Sequence, residues 1–249
     1  MSEIRKVAVI GAGTMGHGIA QVAATVGQEV SLVDISEEIL SRARHRIRWS
    51  LDKLLEKNII KEAPSNIIER IIFTTDLRDA VKDTDLVIEA APEDVTVKMK
   101  IFSEIDDVAP SKAIFASNTS SLPISVLSQA TQRQDRFIGM HWMNPPVFMR
   151  LIELIKGVRT GQETVQRVAE LCRLYNKEPI VVERDVWCFL TGRAHMGWNM
   201  GTAWLGYSRE AAPEEIDAMA RYRMGPVSYT HLRAHETRHD LVCRLLLEK

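Results

Sequence analysis

The chain has 249 residues, 45% of them hydrophobic, and its 32 basic side chains nearly balance 33 acidic ones, for a net charge of −1. This length suits one large domain or two modest ones with a buried core. The balanced charge gives no reason to expect a nucleic acid or an anionic membrane as partner. The three cysteines are too few and too widely spaced for a disulfide framework or a metal site, which favours a cytoplasmic location. No apolar run approaches membrane-spanning length, and because the first predicted strand begins almost at the amino terminus, no signal peptide is expected.

That first strand, Lys6–Ile10, leads directly into Gly-x-Gly-x-x-Gly at residues 11–16. In such a turn the first glycine permits the tight bend, the second lets the backbone approach a pyrophosphate, and the third lets the next helix pack closely on the strand. The amino-terminal end of that helix would face the pyrophosphate. A second strand, Glu29–Val33, ends before Asp34, whose carboxylate would accept hydrogen bonds from an adenosine ribose and repel a 2′-phosphate. The motif therefore favours NAD over NADP; the alternative is a glycine-rich turn in another βαβ fold. The predicted cofactor-binding residues here are Gly11, Gly13, Thr14, Met15, Gly16 and Asp34.

Strand and helix patterns alternate up to about residue 183, which predicts an α/β fold with a Rossmann-type doubly wound sheet. A long helix is predicted from an N-cap at Ser36 to about Lys57, with further helices at 92–108 and 165–175. The buried stripe of the long helix is predicted to be Ile39, Ala43, Ile47, Leu51, Leu54 and Leu55. The other predicted strands are Ile71–Thr74, Leu86–Glu89, 113–117, 137–140, Leu151–Ile155 and 180–182.

After Arg184 the strand pattern stops, and helices are predicted at 187–205 and 214–222. We therefore expect a Rossmann domain at 1–184 and a partial all-helical domain at 185–226. Residues 227–249 do not share this pattern and are interpreted as a non-native tail, foreign or frame-shifted. Three histidines in the tail have helical spacing, but no acidic or thiol partner is arranged to complete a metal site, so no metal is predicted. They are His231, His235 and His239.

Three polar segments follow predicted strands, at the sheet edge where open α/β folds bind ligands. Glu93 and Lys98 follow the predicted strand Leu86–Glu89. They are either candidate site residues or simply an exposed acid and its neighbour on the next helix. Ser120 follows the second, in a hydroxyl cluster that could bind a substrate oxygen or cap the next helix. His141 ends the third, and its side chain suits proton transfer near neutrality. A lone histidine there is more often structural, but a carboxylate from Glu153 on the next strand would favour catalysis.

Segments within this chain resemble the 3-hydroxyacyl-CoA dehydrogenase family, NAD-dependent enzymes of fatty-acid β-oxidation and of the related hydroxybutyryl-CoA step. The resemblance extends over about residues 6–226. It rests on Gly-Ala-Gly-Thr-Met-Gly-His-Gly-Ile-Ala from residue 11, Ser-Asn-Thr-Ser-Ser-Leu from residue 117 and His-Trp-Met-Asn-Pro-Pro from residue 141. It implies oxidation of an (S)-3-hydroxyacyl-CoA to a 3-oxoacyl-CoA by a homodimer.

The family resemblance also implies roles for individual positions. His141 would be the general base, Glu153 would orient and charge-stabilise it, and Ser120 would hydrogen-bond the substrate oxygen. Asp34 would bind the adenosine ribose. The nicotinamide half would be fixed by Glu93, Lys98 and Asn144. Ser50 and Lys57 match positions that contact coenzyme A, and neighbouring arginines add positive charge, although alternating arginines on a helix are usually a solvated face.

The chain departs from the family pattern in two places. The family usually has Pro-Gly-Phe-x-x-Asn-Arg where this chain has residues 187–193, so Gly192 stands where the substrate-contacting Asn is expected. Asn199 is a possible substitute. Family members also continue after Met-Gly-Pro with helices that complete the substrate domain and the dimer interface. Because this sequence carries the unrelated tail instead, we expect a carboxyl-terminally truncated enzyme with weak or no activity and a tendency to associate.

Two other hypotheses stay open. One keeps the fold and changes the substrate to a sugar acid or hydroxy acid, as in enzymes of the gulonate dehydrogenase type, which share a His-x-x-Asn-Pro-Pro segment. The other is a cofactor-binding protein without turnover.

Overall fold

The computed structural model describes residues 4–208 and 212, except for the side chains of residues 198, 199, 202, 203 and 205–207. The predicted helix at 214–222, the tail at 227–249 with its three histidines, and the side chain of Asn199 lie outside this part. The chain divides into two compact units, Met1–Gly192 and Arg193–Lys249. The predicted division after Arg184 into a Rossmann domain and a helical domain stays a prediction.

Eight strands form one sheet in the order β3-β2-β1-β4-β5-β6-β7-β8. Neighbouring strands are parallel except β6 and β7, which are antiparallel. Five strands have the predicted bounds; β5 begins one residue later, β6 continues to Trp142 and β8 begins at Glu178. The strands are β1 (Lys6–Ile10), β2 (Glu29–Val33), β3 (Ile71–Thr74), β4 (Leu86–Glu89), β5 (Ile114–Ser117), β6 (Phe137–Trp142), β7 (Leu151–Ile155) and β8 (Glu178–Val182).

In the described part of the chain, seven α-helices lie between consecutive strands of the sheet and an eighth follows β8. They are α1 (Gly16–Thr25), α2 (Glu37–Glu56), α3 (Pro64–Glu69), α4 (Leu77–Val81), α5 (Val95–Asp106), α6 (Ile124–Leu127), α7 (Gln162–Leu174) and α8 (Thr191–Tyr207), with two 3-10 turns, Ser128–Ala130 and Gln134–Arg136. The short helices α3, α4 and α6 were not predicted, because one or two turns show too little periodicity to be recognised. No helix in the described part is long and apolar enough to cross a membrane.

The buried stripe of α2 differs from the prediction at two positions. Ala43, Ile47, Leu51 and Leu54 are buried as predicted, but Leu40 is buried in place of Ile39. Leu55 is 38% exposed, because one step beyond Leu54 turns its side chain by about 100° around the helix axis. Ser36 occupies the N-cap position, but its side chain makes no capping hydrogen bond.

The sheet topology determines where a ligand can bind. All four residues of β4 and of β5 are buried, as expected for central parallel strands that are covered on both faces. The strand order reverses between β1 and β4, and loops from the carboxyl ends of these strands diverge there to leave a crevice. Gly11, Asp34, Ala90 and Asn118 each directly follow a strand at this edge.

Candidate active site

The glycine turn after β1 needs glycine at two of its three positions. Gly11 has a φ of +98°, and a Cβ atom there would lie 2.6 Å from the carbonyl oxygen of Ala90. A Cβ on Gly16 would lie 1.7 Å from the carbonyl oxygen of Gly11. At Gly13 an added Cβ would meet no atom within 4 Å. Packing therefore does not explain Gly13, whereas a pyrophosphate held against the backbone would, so this turn fits NAD.

The amino terminus of α1 is open to an anion. Met15 occupies the N-cap position, and no side chain among the described residues caps the helix or places an acid in its first turn. The exposed Thr14 precedes Met15 in the same turn. His17 braces the turn, with Nδ1 2.6 Å from the carbonyl oxygen of Gly13. Burial and the nearby charge of Arg46 lower the pKa of His17, although the bond to Gly13 opposes them. The free N–H groups and the helix dipole suit a phosphate.

Asp34 lies beside the same turn. Its Oδ2 accepts a hydrogen bond of 2.8 Å from the backbone N–H of Ala12, which ties the end of β2 to the turn after β1. The carboxylate is only partly buried. Asp34 is therefore placed where the dinucleotide motif requires an acid for the adenosine ribose.

Lys98 is buried beneath this edge of the sheet rather than presented to solvent. Its side chain is 1% exposed. Its Nζ donates to Glu89 Oε1 at 2.6 Å and to the carbonyl oxygen of Ala91 at 3.0 Å, and it lies 3.5 Å from Glu93 Oε2. Lys98 thus holds two carboxylates in place. A direct contact with the nicotinamide half stays a prediction.

Glu89 is a member of this network that the sequence analysis did not select. It is fully buried, and its Oε2 accepts 2.6 Å from Ser117 Oγ. Burial raises the pKa of Glu89, and the charge and hydrogen bonds of Lys98 and Ser117 only partly oppose it. The available signal was its position as a charged residue ending an otherwise apolar strand, because a buried charge needs a specific partner.

Glu93 organises the segment that contains Ser120. Its Oε1 accepts from Thr119 Oγ1 at 2.6 Å, from the N–H of Ser120 at 2.9 Å, and from Ser121 Oγ at 3.0 Å. Burial opposes ionisation of Glu93, but the bond from Thr119 and the charge of Lys98 outweigh it, so the pKa of Glu93 is lowered. The side chain of Ser120 is exposed. Glu93 therefore holds the backbone while leaving this hydroxyl available to a ligand.

The hydroxyl groups of this cluster do not cap α6, which was the alternative interpretation of the segment. The backbone N–H groups of Ile124 and Ser125 donate instead to the two carboxylate oxygens of Asp185, at 3.1 Å and 2.6 Å. Asp185 is 60 residues away from Ser125 in the sequence, so no local pattern could have identified it.

His141 and Glu153 form a close pair on antiparallel strands. They are directly opposite in the register of β6 and β7, and Nδ1 of His141 lies 2.7 Å from Oε2 of Glu153. The His141 side chain is 12% exposed and that of Glu153 is fully buried. This geometry leaves Nε2 as the ring nitrogen for a substrate. The paired carboxylate favours the catalytic interpretation of His141 over a purely structural one.

Glu153 accepts further hydrogen bonds from the turn before α8. Its Oε1 accepts from the N–H groups of Leu190 at 3.0 Å and Thr191 at 2.8 Å, and its Oε2 accepts from Thr191 Oγ1 at 2.6 Å. Burial disfavours the charged carboxylate, but the bonds from His141 and Thr191 outweigh burial and lower the pKa of Glu153. Glu153 is therefore held as an anion beneath the imidazole.

The turn before α8 has an unusual backbone. Cys188 and Phe189 have φ values of +61° and +50°, in the left-handed region that favours glycine. Phe189 is fully buried, with its ring centroid 5.8 Å from that of His141. Gly192 follows in α8, so the asparagine side chain of the family pattern is absent at this position.

The loop between β6 and β7 contains Asn144, which is exposed. Lys177 holds this loop from below: its Nζ donates to the carbonyl oxygens of Pro146 at 2.6 Å and Met149 at 2.8 Å. A Cβ on Gly18 would lie 3.2 Å from Pro146, so the loop packs on α1. Asn144 therefore belongs to a fixed loop near the glycine turn.

Asn118, which directly follows β5, is hydrogen-bonded to the ends of the two neighbouring strands, β4 and β6. Its Oδ1 accepts a hydrogen bond of 3.0 Å from the N–H of Trp142, and its own N–H donates to the carbonyl of Glu89 at 2.7 Å. Ser120 and His141 are thus attached to neighbouring strand ends. Asn118 was not selected from the sequence, although it lies within the polar segment that contains Ser120.

Ser50 and Lys57 lie seven residues apart on α2 and at its carboxyl end, and this spacing places them on one side of the helix. Ser50 Oγ accepts 3.0 Å from Gln21 Nε2, and Lys57 is exposed. Two neighbouring arginines have other partners: Arg48 pairs with Asp52 and Arg44 stacks on an aromatic ring. A coenzyme A contact at Ser50 and Lys57 stays a prediction.

Comparison with known proteins agrees with this geometry. Residues 6–186 match the 3-hydroxyacyl-CoA dehydrogenase NAD binding domain. A probable 3-hydroxybutyryl-CoA dehydrogenase of Deinococcus radiodurans is 40% identical over 227 residues, which are 90% of this chain and 81% of that protein. The mitochondrial hydroxyacyl-coenzyme A dehydrogenase of Mus musculus is 38% identical over 90% of this chain and 74% of its own length. The crystal structure of (S)-3-hydroxybutyryl-CoA dehydrogenase from Ralstonia eutropha superposes with a TM-score of 0.84 at 40% identity, over 88% of this chain and 77% of that one. The chain therefore belongs to the 3-hydroxyacyl-CoA dehydrogenase family.

Proposed function

We propose that this chain catalyses the NAD-dependent oxidation of (S)-3-hydroxyacyl-CoA to 3-oxoacyl-CoA. The observation that carries the proposal is the contact of 2.7 Å between His141 Nδ1 and Glu153 Oε2, at the ligand-binding edge of an NAD binding domain. Oxidation of a secondary alcohol needs a base for the hydroxyl proton, and a positioned histidine is the commonest such base.

In this mechanism His141 transfers one proton and Glu153 stabilises the positive charge that results. The C3 hydroxyl of the substrate gives its proton to Nε2 of His141, while Glu153 stabilises the imidazolium that forms. Bound NAD supplies the acceptor for the C3 hydride. In the reverse direction the imidazolium returns the proton to the oxygen. A positioned base of this kind contributes about 10²–10⁴-fold to the rate.

The other site residues bind and orient. The hydroxyl of Ser120, left exposed by the anchoring of its backbone to Glu93, donates a hydrogen bond to the substrate oxygen. Asp34 accepts from the adenosine ribose, and the glycine turn from Gly11 to Gly16 binds the pyrophosphate. Glu93, which lies 3.5 Å from Lys98 Nζ, and Asn144 would hold the nicotinamide half.

Ser50 and Lys57 are proposed to contact the coenzyme A part of the substrate. Lys57 brings a positive charge and Ser50 a hydroxyl to one side of α2, and a phosphate-bearing group is bound by such side chains. The homodimer, the absence of nucleic-acid and membrane partners, and the cytoplasmic location stay predictions.

The substrate assignment is tested by comparing two alcohols with the purified chain. We expect weak but measurable NADH formation with (S)-3-hydroxybutyryl-CoA and none with free L-gulonate. The reverse preference would support a dehydrogenase of the gulonate type. NADH binding without turnover of either alcohol would support a cofactor-binding protein and overturn the proposed activity.

A further inference from the structure

The carboxylate of Glu153 is shared between two donors of very different kind. One is the imidazole of His141; the other is the hydroxyl of Thr191, whose Oγ1 lies 2.6 Å from the same oxygen, Oε2. The backbone N–H of Thr191 binds the second oxygen, Oε1, at 2.8 Å. Thr191 therefore contacts both oxygens of the group that faces the proposed base, although the role of this residue does not follow from the family pattern, which leaves its position unspecified.

We propose that Thr191 is a positioning residue that moderates the His141–Glu153 pair. By donating its hydroxyl to Oε2, Thr191 withdraws part of the negative charge that would otherwise stabilise the imidazolium. This proposal rests on the proposed role of His141 as the base.

The physical argument depends on the burial of Glu153. The carboxylate is fully buried, so water does not replace a lost donor, and hydrogen bonds in such a network polarise one another strongly. Among the described residues, four donor groups bind its two oxygens: His141 Nδ1, Thr191 Oγ1, and the N–H groups of Leu190 and Thr191. Without the Thr191 hydroxyl, three of these donor groups would remain. His141 Nδ1 would then be the only one of them on Oε2.

The test is the titration of His141 by NMR in histidine-labelled protein, with its resonance assigned by loss in His141→Gln. In Thr191→Val the titration midpoint of His141 is expected to rise by about half a unit, because Glu153 then stabilises the imidazolium more strongly. Thr191→Ala removes the same hydroxyl and is expected to give the same rise, should Thr191→Val fail to fold. Thr191→Ser keeps the hydroxyl and is expected to leave the midpoint unchanged.

Thr164→Val is the matched control. Thr164 is buried and its hydroxyl donates 2.8 Å to the carbonyl of Asp135, so the same chemical change is made outside the site. We expect this control to affect stability without moving the His141 midpoint. An unchanged or lowered midpoint in folded Thr191→Val or Thr191→Ala would overturn the proposal, as would an equal shift in Thr164→Val.

The titration is separable from the proposed activity. It needs neither NAD nor substrate, so a shift in a chain that oxidises no acyl-CoA supports the role of Thr191 and counts against the proposed function alone. Where turnover is measured, the acid limb of the pH profile of kcat/KM is expected to move upward in Thr191→Val by the same amount as the NMR midpoint.

Discussion

At the scale of single residues, three carboxylates of the candidate site have different hydrogen-bond partners and different roles. Glu89 is enclosed with Lys98, Glu93 anchors a loop backbone, and Glu153 supports an imidazole. Glu89 and Glu153 are fully buried, so an unpaired charge on either would be costly, and all three carboxylates have specific donors. The groups with proposed chemical roles, such as Ser120 and His141, are therefore held by hydrogen bonds to these carboxylates.

Cys188 stores backbone strain close to this machinery. A non-glycine residue in the left-handed region costs about 1–2 kcal/mol, whereas the extra chain entropy of glycine costs about 0.5–1 kcal/mol. We predict that Cys188→Gly raises the free energy of unfolding by about 0.5–1 kcal/mol, measured by urea denaturation. Cys172→Gly, in the interior of α7 where the cysteine is buried, is the control and is expected to destabilise. A Cys188→Gly variant that is less stable than wild type would contradict the claim that the backbone at Cys188 is strained.

Glu153 also gives the protein a pH-dependent contribution to stability. Its pKa in the folded protein is lowered below the ordinary value of 4.5, so its contribution is present above pH 4.5 and is lost as the pH falls through the lowered value. We predict that the stability difference between wild type and Glu153→Gln narrows as the pH falls below 4.5. Chemical denaturation over a pH series measures it, with the exposed Glu163→Gln as control. A difference that stays constant with pH would refute this.

At the scale of elements, the loop between β6 and β7 is held by the buried side chain of Lys177 in addition to its packing on α1. Lys177 is 5% exposed, and burial lowers its pKa to about 8. In Lys177→Met the carbonyls of Pro146 and Met149 lose their donor, and buried acceptors left unpaired cost about 1–3 kcal/mol.

We predict that Lys177→Met lowers the free energy of unfolding by about that amount and speeds hydrogen exchange in the loop around Asn144. The control is Lys112→Met, because the Lys112 side chain is 69% exposed. Unchanged exchange in the loop of Lys177→Met would show that packing alone holds it.

The strands were predictable for a physical reason, and several anchors were not. Continuous apolar runs mark covered parallel strands, which is why β1 to β4 and β7 have their predicted bounds. The same pattern, with the strand-end positions of His141 and Ser120, located the candidate site. Asp185 and Thr191 act across more than 35 residues of sequence, and nothing local distinguishes them from ordinary loop residues. Lys98 was selected from its position after a predicted strand, and the family resemblance gave it a role, but its burial was visible only in the packed structure.

At the scale of the whole molecule, the doubly wound sheet gathers distant segments at one edge. The candidate site combines parts that together span more than 100 residues of the chain. They are the turn after β1, Asp34 after β2, Glu93 after β4, Ser120 after β5 and His141 on β6. Parallel pairing from β3 to β6 brings their strand ends to the same side, and the one antiparallel pair sets Glu153 against His141. The topology thus brings the proposed base to the same edge of the sheet as the glycine turn.

The most direct test of this account is the rate of NADH formation from (S)-3-hydroxybutyryl-CoA in His141→Ala beside wild type, with NADH affinity measured on both. We predict a loss of about 10²–10⁴-fold with little change in NADH affinity, a large loss also in Glu153→Gln, and none in the exposed control His45→Ala. Turnover by His141→Ala at the wild-type rate would contradict the assignment of the imidazole as the base.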